Sequence, residues 1–331
     1  MPRASMPPDW EPPAPAWIST WPAGLDGLVA AYYGVQSDDP AALQAWAKAA
    51  FALPYGPDKV DQAIFDDAEG VTNHFYIAYW SRQGYEAWWQ QHDARAWWES
   101  PERVDEGVGY WREIVTIPLD HLETLHSTPV AHGIGELTED LEGPILEHGY
   151  AGGMRDRIEL SANSDLRETS PIEQKLPAQI SQDGRRVLIQ PPKYMCIIRS
   201  GQNWSECNQD QRDYYFEELQ PRLAAGMQFL SENPEETRCF SMRYAKQTDV
   251  NWQPLEETFG LGFATDVHAF EEWAKSHPTH LRIFDGFLQM VDKFGESLTL
   301  RLWHEVNVLP DGGSEFEYIA CHPLTGLLKY A

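Results

Sequence analysis

The sequence predicts an α+β fold in which two ferredoxin-like halves join their sheets into one barrel-like body. First, segment 85–95 aligns without a gap on segment 270–280. Second, both segments follow an aromatic-rich stretch that is typical of a strand. Third, strand, helix, strand and strand follow one another in each half, which is the pattern of a ferredoxin-like unit. The two segments share Tyr85/Phe270, Glu86/Glu271, Trp88/Trp273 and His92/His277.

The first half is expected to span residues 17–130. It follows a Pro-rich arm, residues 1–16, which should be extended and pack across another surface or a partner subunit. Residues 75–80 predict a strand because they are almost all aromatic or aliphatic. A helical stretch follows from Ser81, and residues 108–117 predict the next strand.

A segment rich in Gly, Asp and Glu, residues 131–184, lacks long periodic runs and is expected to connect the halves. The second half is expected to span residues 185–331. It opens with two predicted strands, residues 187–190 and 194–200, and continues with a predicted helix over residues 204–230.

The composition is acidic and rich in aromatic residues. With 25 Lys and Arg against 51 Asp and Glu, the net charge is -26. This charge repels phosphate backbones and anionic lipids, so we expect no nucleic-acid or membrane partner and a small-molecule substrate instead. The 14 Trp, 14 Tyr and 13 Phe residues indicate large apolar surfaces, in a core, at a subunit interface or around a planar ligand.

The four cysteines show neither a zinc-binding spacing nor the C-x-x-C-H spacing of covalently attached haem. We expect them to be buried free thiols of a reducing compartment. The N-terminal stretch lacks the apolar region of a signal peptide, and no apolar run approaches 18 residues. The sequence therefore predicts a cytoplasmic protein.

A strand is predicted at residues 298–306, where apolar and polar side chains alternate. His304 shares one face with Leu300, Leu302 and Val306, so it is expected to point inward. Such a histidine is often a structural residue of the core, and that alternative stays open.

Histidines are dense in the second half, and His280 stands where the first repeat has Arg95. The string His-Pro-Thr-His does not match a zinc protease, and a G-x-S-x-G hydrolase elbow is absent from the sequence. A b-type haem fits better, because it needs one proximal imidazole, apolar walls and few polar distal groups. His280 on a helix and His304 on a facing strand can supply both sides. Four of them lie within residues 277–322: His277, His280, His304 and His322.

Five strings resemble, in the same order, those of the haem-containing aldoxime dehydratases, also called phenylacetaldoxime dehydratases. This resemblance implies a dimeric α+β barrel with haem in the second half, and a homodimer. The strings are EHGYAGGMRDR (147–157), IIRSGQ (197–202), SHPTHLRIF (276–284), LRLWHEV (300–306) and FEYIACHPLTG (316–326).

The resemblance also implies a role for each matching residue. His280 would be the proximal ligand of a haem b that is active as ferrous iron. His304 would be the distal catalytic acid and base, and Ser200 and Arg157 would assist it. The implied reaction is the dehydration of an aldoxime to a nitrile, with the substrate nitrogen bound to the iron.

The chain departs from the resemblance at residues 150–152, where it has Tyr-Ala-Gly and the family has Tyr-Trp-Gly. We expect this difference to widen the site near Arg157. Glu147 and His148 lie in a matching string, but the resemblance assigns them no role.

Two other functions remain as alternatives. One is a haem peroxidase on a dimeric α+β barrel, although such enzymes favour a distal Arg or Asp. The other is a non-catalytic haem carrier or sensor, which would need His280 but no ionisable group opposite. A thiolate ligand from Cys321 is a further alternative to His280.

Overall fold

A long antiparallel sheet forms the centre of the computed structural model, which describes residues 4–138 and 140–331. The strands are β1 (Ile18–Ser19), β2 (Leu28–Gln36), β3 (Lys59–Asp66), β4 (Thr72–Ser81), β5 (Gly109–Ile117), β6 (Leu122–His126), β7 (Leu141–Glu142), β8 (Ala178–Ser181), β9 (Arg186–Ile189), β10 (Cys196–Asn203), β11 (Cys239–Thr248), β12 (Pro254–Ala264), β13 (Arg301–Val308) and β14 (Glu315–Ile319).

The helices lie mainly in the connections between these strands. They are α1 (Ala41–Ala50), α2 (Arg82–Trp89), α3 (His92–Glu99), α4 (Gly153–Arg157), α5 (Gln209–Tyr214), α6 (Gln220–Glu232), α7 (Pro234–Thr237), α8 (Val267–Ser276) and α9 (Pro278–Phe294). A π-helical turn, Tyr215–Leu219, makes α5 and α6 continuous. In the part of the chain described, no helix is long and apolar enough to cross a membrane.

Among the described residues, twelve strands pair in the order β6-β13-β10-β12-β11-β3-β4-β2-β5-β14-β9-β8. The first half contributes β3-β4-β2-β5 and the second half β11-β12-β10-β13. In chain order, one helical connection follows the first strand of each half (β2 or β10), and another follows the third strand (β4 or β12). The halves join where β3 pairs with β11, for example Ala63 with Gln247.

Residues of the two halves pack together on the inner face of the sheet. Tyr32 and Phe263 lie 6.5 Å apart between ring centroids, although their strands are distant in the sheet order. Three polar contacts also cross this interior. They are Arg243 with Glu113 (2.6 Å), Arg199 with Asp61 (2.7 Å) and Tyr79 with Glu305 (2.6 Å). The sheet therefore curls so that its halves face each other.

The outer face of each half is covered by that half's own helices. In the first half, this layer is filled by tryptophans that are almost fully buried: Trp46, Trp80, Trp88 and Trp98. In the second half, smaller side chains from α6, α8, β10 and β12 form the corresponding cluster. The α+β class is confirmed, and the tryptophan content is explained largely by this first-half core.

Three predicted elements differ from the structure. The predicted strand at residues 298–306 begins only at Arg301, because residues 298–300, which follow a 3-10 turn, do not pair with a neighbouring strand. Trp303 and Glu305, on the face opposite His304, are also buried because they point into the shared interior. The helix predicted from Trp204 begins at Gln209, where Asn208 caps it. The strand predicted at residues 187–190 lies beside the first half, since β14 joins β9 to β5.

Candidate functional site

A cavity of about 510 Å³ lies between the second-half sheet and its helices. This volume is within the range of about 300–1,000 Å³ that is usual for ligand pockets. The residues that line it are largely apolar. The lining also includes the four site residues predicted from the sequence: Arg157, Ser200, His280 and His304.

Ser200 and His304 lie side by side on the sheet. Strands β10 and β13 are antiparallel, and their register places Ser200 directly opposite His304. Cross-strand partners point to the same face, so both side chains face the cavity. The predicted orientation of His304 toward the cavity agrees with its place in the lining.

The Nε2 atom of His304 contacts two partners of opposite character. It lies 3.0 Å from Nη2 of Arg157 and 3.0 Å from Oε1 of Glu123. A neutral Nε2 accepts a hydrogen bond from the guanidinium, and a protonated Nε2 donates one to the carboxylate. This nitrogen therefore has a hydrogen-bond partner within reach whether or not it carries a proton.

Arg157 is fixed from two sides. Its Nε and Nη2 donate to the two oxygens of Glu123, at 2.7 and 3.1 Å, and its Nη1 donates to the Glu147 carbonyl at 2.7 Å. Burial alone would raise the pKa of Glu123, but the charges of Arg157 and His304 outweigh it and lower that pKa to about 2. Glu123 is thus an anion at any pH at which the protein would work.

Glu123 is the functional residue that the sequence analysis missed. It lies on β6, which pairs with β13 and brings Leu125 opposite His304. The available signal was a carboxylate between the two leucines of a strand-like stretch, Leu122 to Leu125. A buried carboxylate of this kind needs a cationic partner.

His280 lies in the first turn of α9, on the helical wall of the cavity. Its ring packs edge-on against Trp273, with centroids 4.7 Å apart. Burial lowers the pKa of His280, and the nearby Ala274 carbonyl acts in the opposite direction. Its Nδ1 is buried without a hydrogen bond of normal geometry. A buried neutral imidazole of this type is the form that binds a metal.

The two other histidines of the predicted cluster have structural contacts. His277 caps α9, where its Nδ1 lies 2.8 Å from Oγ1 of Thr279, and its ring stacks on Phe229 with centroids 4.0 Å apart. His322 is away from the cavity and contacts Asp67 at 2.8 Å.

The alternative of a Cys321 thiolate ligand is wrong. The Cys321 thiol lies 3.1 Å from the Tyr110 carbonyl, and burial raises its pKa. It is absent from the cavity lining in the described part of the chain. The four cysteines are free, and three of them are buried, as expected.

The string at residues 147–157 forms one wall of the cavity, and we call it the wall loop. Its first residues support Arg157, through the Glu147 carbonyl described above. Burial, followed by the charge of Arg157, lowers the pKa of His148 to about 4, so this imidazole is neutral. Ala151 is exposed and lines the cavity, which is consistent with a wider opening at this point.

The residues of the cavity fit a haem. One partly buried imidazole, that of His280, is available as a ligand, and the surrounding helical wall is largely aromatic and aliphatic. On the sheet side the cavity passes over Gly260, where a Cβ atom would lie 2.6 Å from the Met227 sulfur. Polar groups are confined to a few positions, as a distal haem pocket requires.

Comparisons with known proteins give a consistent set of relatives. The family model of the haem-containing dehydratases matches residues 31–327. The phenylacetaldoxime dehydratase of Bacillus sp. (strain OxB-1) is 34% identical, over 98% of this chain and 94% of that protein. The aliphatic aldoxime dehydratase of Rhodococcus erythropolis is 35% identical, over 98% of this chain and 93% of that protein.

Solved structures give the same result. A crystal structure of an aldoxime dehydratase in complex with butyraldoxime has a TM-score of 0.91 and 34% identity, and the match covers 100% of this chain and 94% of that one. A second crystal structure of an aldoxime dehydratase has a TM-score of 0.90 and 33% identity, over 100% of this chain and 96% of that one.

Proposed function

Because the chain belongs to the haem-containing dehydratase family, we propose that it dehydrates aldoximes, R–CH=N–OH, to nitriles, R–C≡N, and water. The observation that carries this proposal is the placement of His304 between a cation and an anion, in the cavity that also contains the partly buried imidazole of His280. One residue is equipped for proton transfer and the other for metal binding.

His280 is the proposed proximal ligand. A ferrous b-type haem, when bound there, would supply an iron centre that binds the oxime nitrogen and donates electron density into the N–O bond. The lowered pKa of His280 keeps its imidazole neutral and ready to bind.

His304 is the proposed acid and base. Hydroxide is a poor leaving group, so protonated Nε2 gives its proton to the oxime oxygen, which leaves as water. The neutral imidazole then removes the proton from the oxime carbon while the C≡N bond forms. Proton transfer of this kind contributes about 10²- to 10⁴-fold to a rate. His304 returns to its starting state, and the reaction consumes no external proton or electron.

Glu123 and Arg157 support the two states of His304 in turn. The carboxylate stabilises the imidazolium, and the guanidinium donates to the neutral ring after the proton has left. Ser200, directly across from His304, is placed to hold the oxime hydroxyl near Nε2.

We also infer that the two halves are ferredoxin-like repeats of which only the second carries a site. The equal strand orders β3-β4-β2-β5 and β11-β12-β10-β13 support this inference. The homodimer implied by the resemblance stays a prediction.

The experiment is a dehydration assay on the haem-loaded protein, with butyraldoxime as substrate and nitrile measured by gas chromatography. The dithionite-reduced enzyme should be much faster than the air-oxidised enzyme, because ferrous iron is the electron-rich form. Equal rates in both states would indicate simple Lewis-acid catalysis. A protein without a Soret band after haem is supplied would contradict the whole proposal.

The two alternative functions have less support. A peroxidase would favour a distal Arg or Asp acting alone, whereas Arg157 is engaged with Glu123 and His304. A haem carrier has no use for an ionisable residue that is held in two protonation states. Hydrogen peroxide turnover by the same preparation, without nitrile formation, would favour the peroxidase.

A further inference from the structure

The N-terminal arm lies against the outer side of the wall loop, whose inner side lines the cavity. Trp10 is the first point of attachment. Its Nε1 donates to the His148 carbonyl at 2.9 Å, and its ring packs edge-on against the ring of Tyr150, with centroids 5.6 Å apart. The arm thus packs on its own chain, which is one of the two outcomes expected from the sequence; its first three residues lie outside the described part.

Asp156 is the second point of attachment, and it directly precedes Arg157. Its Oδ2 accepts from the Ser5 backbone N–H at 2.9 Å and from the Tyr150 hydroxyl at 3.0 Å. The Asp156 side chain is almost completely buried. These two donors therefore offset much of the free-energy cost of burying its carboxylate. Arg155 adds a contact from its Nη2 to the Ser5 hydroxyl at 3.3 Å.

Two glycines of the wall loop allow this close approach. A Cβ on Gly149 would lie 2.8 Å from Pro13, and a Cβ on Gly152 would lie 2.5 Å from Ser5. Both glycines have positive φ angles, 77° and 92°, which other residues rarely adopt. The arm and the loop are therefore fitted to each other along most of the loop.

We propose that the N-terminal arm is a positioning element of the site: through Trp10 and Ser5 it holds the wall loop so that Arg157 stays beside His304. In the described part of the arm, no hydrogen bond or ring contact reaches His304 or Arg157, and the arm acts through His148, Tyr150 and Asp156. Its other end is fixed to the sheet, since Trp17 exchanges backbone hydrogen bonds of 2.8 Å with His126. This inference rests on the proposed function for its kinetic consequence.

The test uses the haem-loaded full-length chain with Trp10→Ala, and Glu11→Ala as control because Glu11 is an exposed neighbour in the same arm. Trp10→Ala should lower kcat for butyraldoxime about tenfold, because a displacement of about 1 Å near the chemistry can cost up to about 10²-fold. Haem content and the dissociation constant for butyraldoxime should stay within about threefold, as expected for lost positioning alone. Trp10→Phe keeps the ring contact with Tyr150, so its kcat should fall less.

A double-mutant cycle separates positioning from general stability. With Arg157→Lys already present, Trp10→Ala should cause little further loss, because both changes act on the same contact. If the fold losses in kcat caused by Trp10→Ala and Arg157→Lys multiply in the double variant, the proposal is overturned. It is also overturned by a Trp10→Ala variant that equals Glu11→Ala in kcat, or by one whose loss of activity only follows its loss of haem.

Limited proteolysis tests the same arm without any assay of activity. Trypsin should cleave after Arg155 and Arg157 much faster in Trp10→Ala than in Glu11→Ala, as measured by fragment mass. Unchanged cleavage would contradict the attachment itself. If cleavage increases but the unmodified protein forms no nitrile, the proposed function fails while the attachment of the arm stands.

Discussion

At the scale of single residues, the proposed chemistry depends on Glu123 as much as on the histidine it contacts. The carboxylate is buried, anionic and shared between Arg157 and His304. Without its charge, the guanidinium would face the imidazolium directly, and the protonated state of His304 would become unfavourable. The acid step would suffer more than the base step.

Glu123→Gln should therefore lower turnover while leaving bound haem in place. We expect a loss of about 10- to 100-fold, a part of the 10²- to 10⁴-fold that general acid–base catalysis contributes. The measurement is kcat with butyraldoxime beside the haem absorbance of the same sample. His92→Ala, a change at an exposed histidine, is the control. A fully active Glu123→Gln variant would show that His304 needs no anionic partner.

The same variant should change the pH dependence of stability. The pKa of Glu123 is lowered in the folded protein, from 4.5 to about 2. Its contribution to the free energy of unfolding is therefore complete above about pH 4.5 and is lost as the pH falls toward 2. Urea unfolding of Glu123→Gln should depend less on pH in this window than unfolding of the unmodified protein. If the free energy of unfolding changed equally with pH in both proteins, the Glu123 carboxylate would not be held as an anion in the folded state.

Ala151 offers a test of cavity width. Because it lines the cavity and is exposed, Ala151→Trp should fill part of the opening without disturbing the interior. We expect kcat/KM to fall by at least about tenfold for phenylacetaldoxime, and less for the slimmer butyraldoxime. The two substrates are compared in one assay. Equal losses for both would place Ala151 away from the path of the substrate.

At the scale of elements, the paired helices α2–α3 and α8–α9 occupy the same place in the two halves, and α8–α9 borders the cavity described above. Trp88 is fully buried, and its Nε1 donates to the Ala50 carbonyl at 2.8 Å. Its counterpart Trp273 lines the cavity and packs on His280. In the first half the corresponding tryptophans belong to the core, and Arg95 stands at the position of His280.

These counterparts form a matched pair of variants. Trp88→Ala should lower the free energy of unfolding by about 3–5 kcal/mol, the usual cost of removing a buried Trp, and leave haem affinity unchanged. Trp273→Ala should cost less stability and weaken haem binding, because His280 loses the ring against which it packs. Denaturant unfolding and haem titration distinguish the two. A reversed pattern would assign the site to the first half.

At the scale of the whole molecule, the two halves support each other across the shared interior. Arg199 and Glu305 immediately adjoin Ser200 and His304, but point to the opposite face of the sheet, where they bind Asp61 and Tyr79 of the first half. One face of strands β10 and β13 thus lines the cavity, and the other face packs against the first half. The first half therefore contributes to the site although it lines almost none of the cavity.

Much of this organisation could be predicted from local sequence. Alternation identified the face of His304, and the family expected from five strings is confirmed by a match over residues 31–327. The contacts of Glu123 with Arg157 and His304 could not be predicted, because they depend on β6 pairing with a strand far along the chain. The burial of Trp303 and Glu305 depends on the sheet curling over itself, which alternation within one strand does not reveal.

The central claim is that His280 and His304 have separate tasks, one in binding and one in chemistry. The most direct measurement compares haem content and nitrile formation for His280→Ala and His304→Ala, purified in parallel and reduced with dithionite. His280→Ala should retain little haem, because it loses the only proposed protein ligand. His304→Ala should keep its haem and lose about 10²-fold or more in turnover, and His304→Asn should recover little, since an amide cannot exchange the proton. If His304→Ala instead loses haem while His280→Ala keeps it and stays active, the two assignments are reversed.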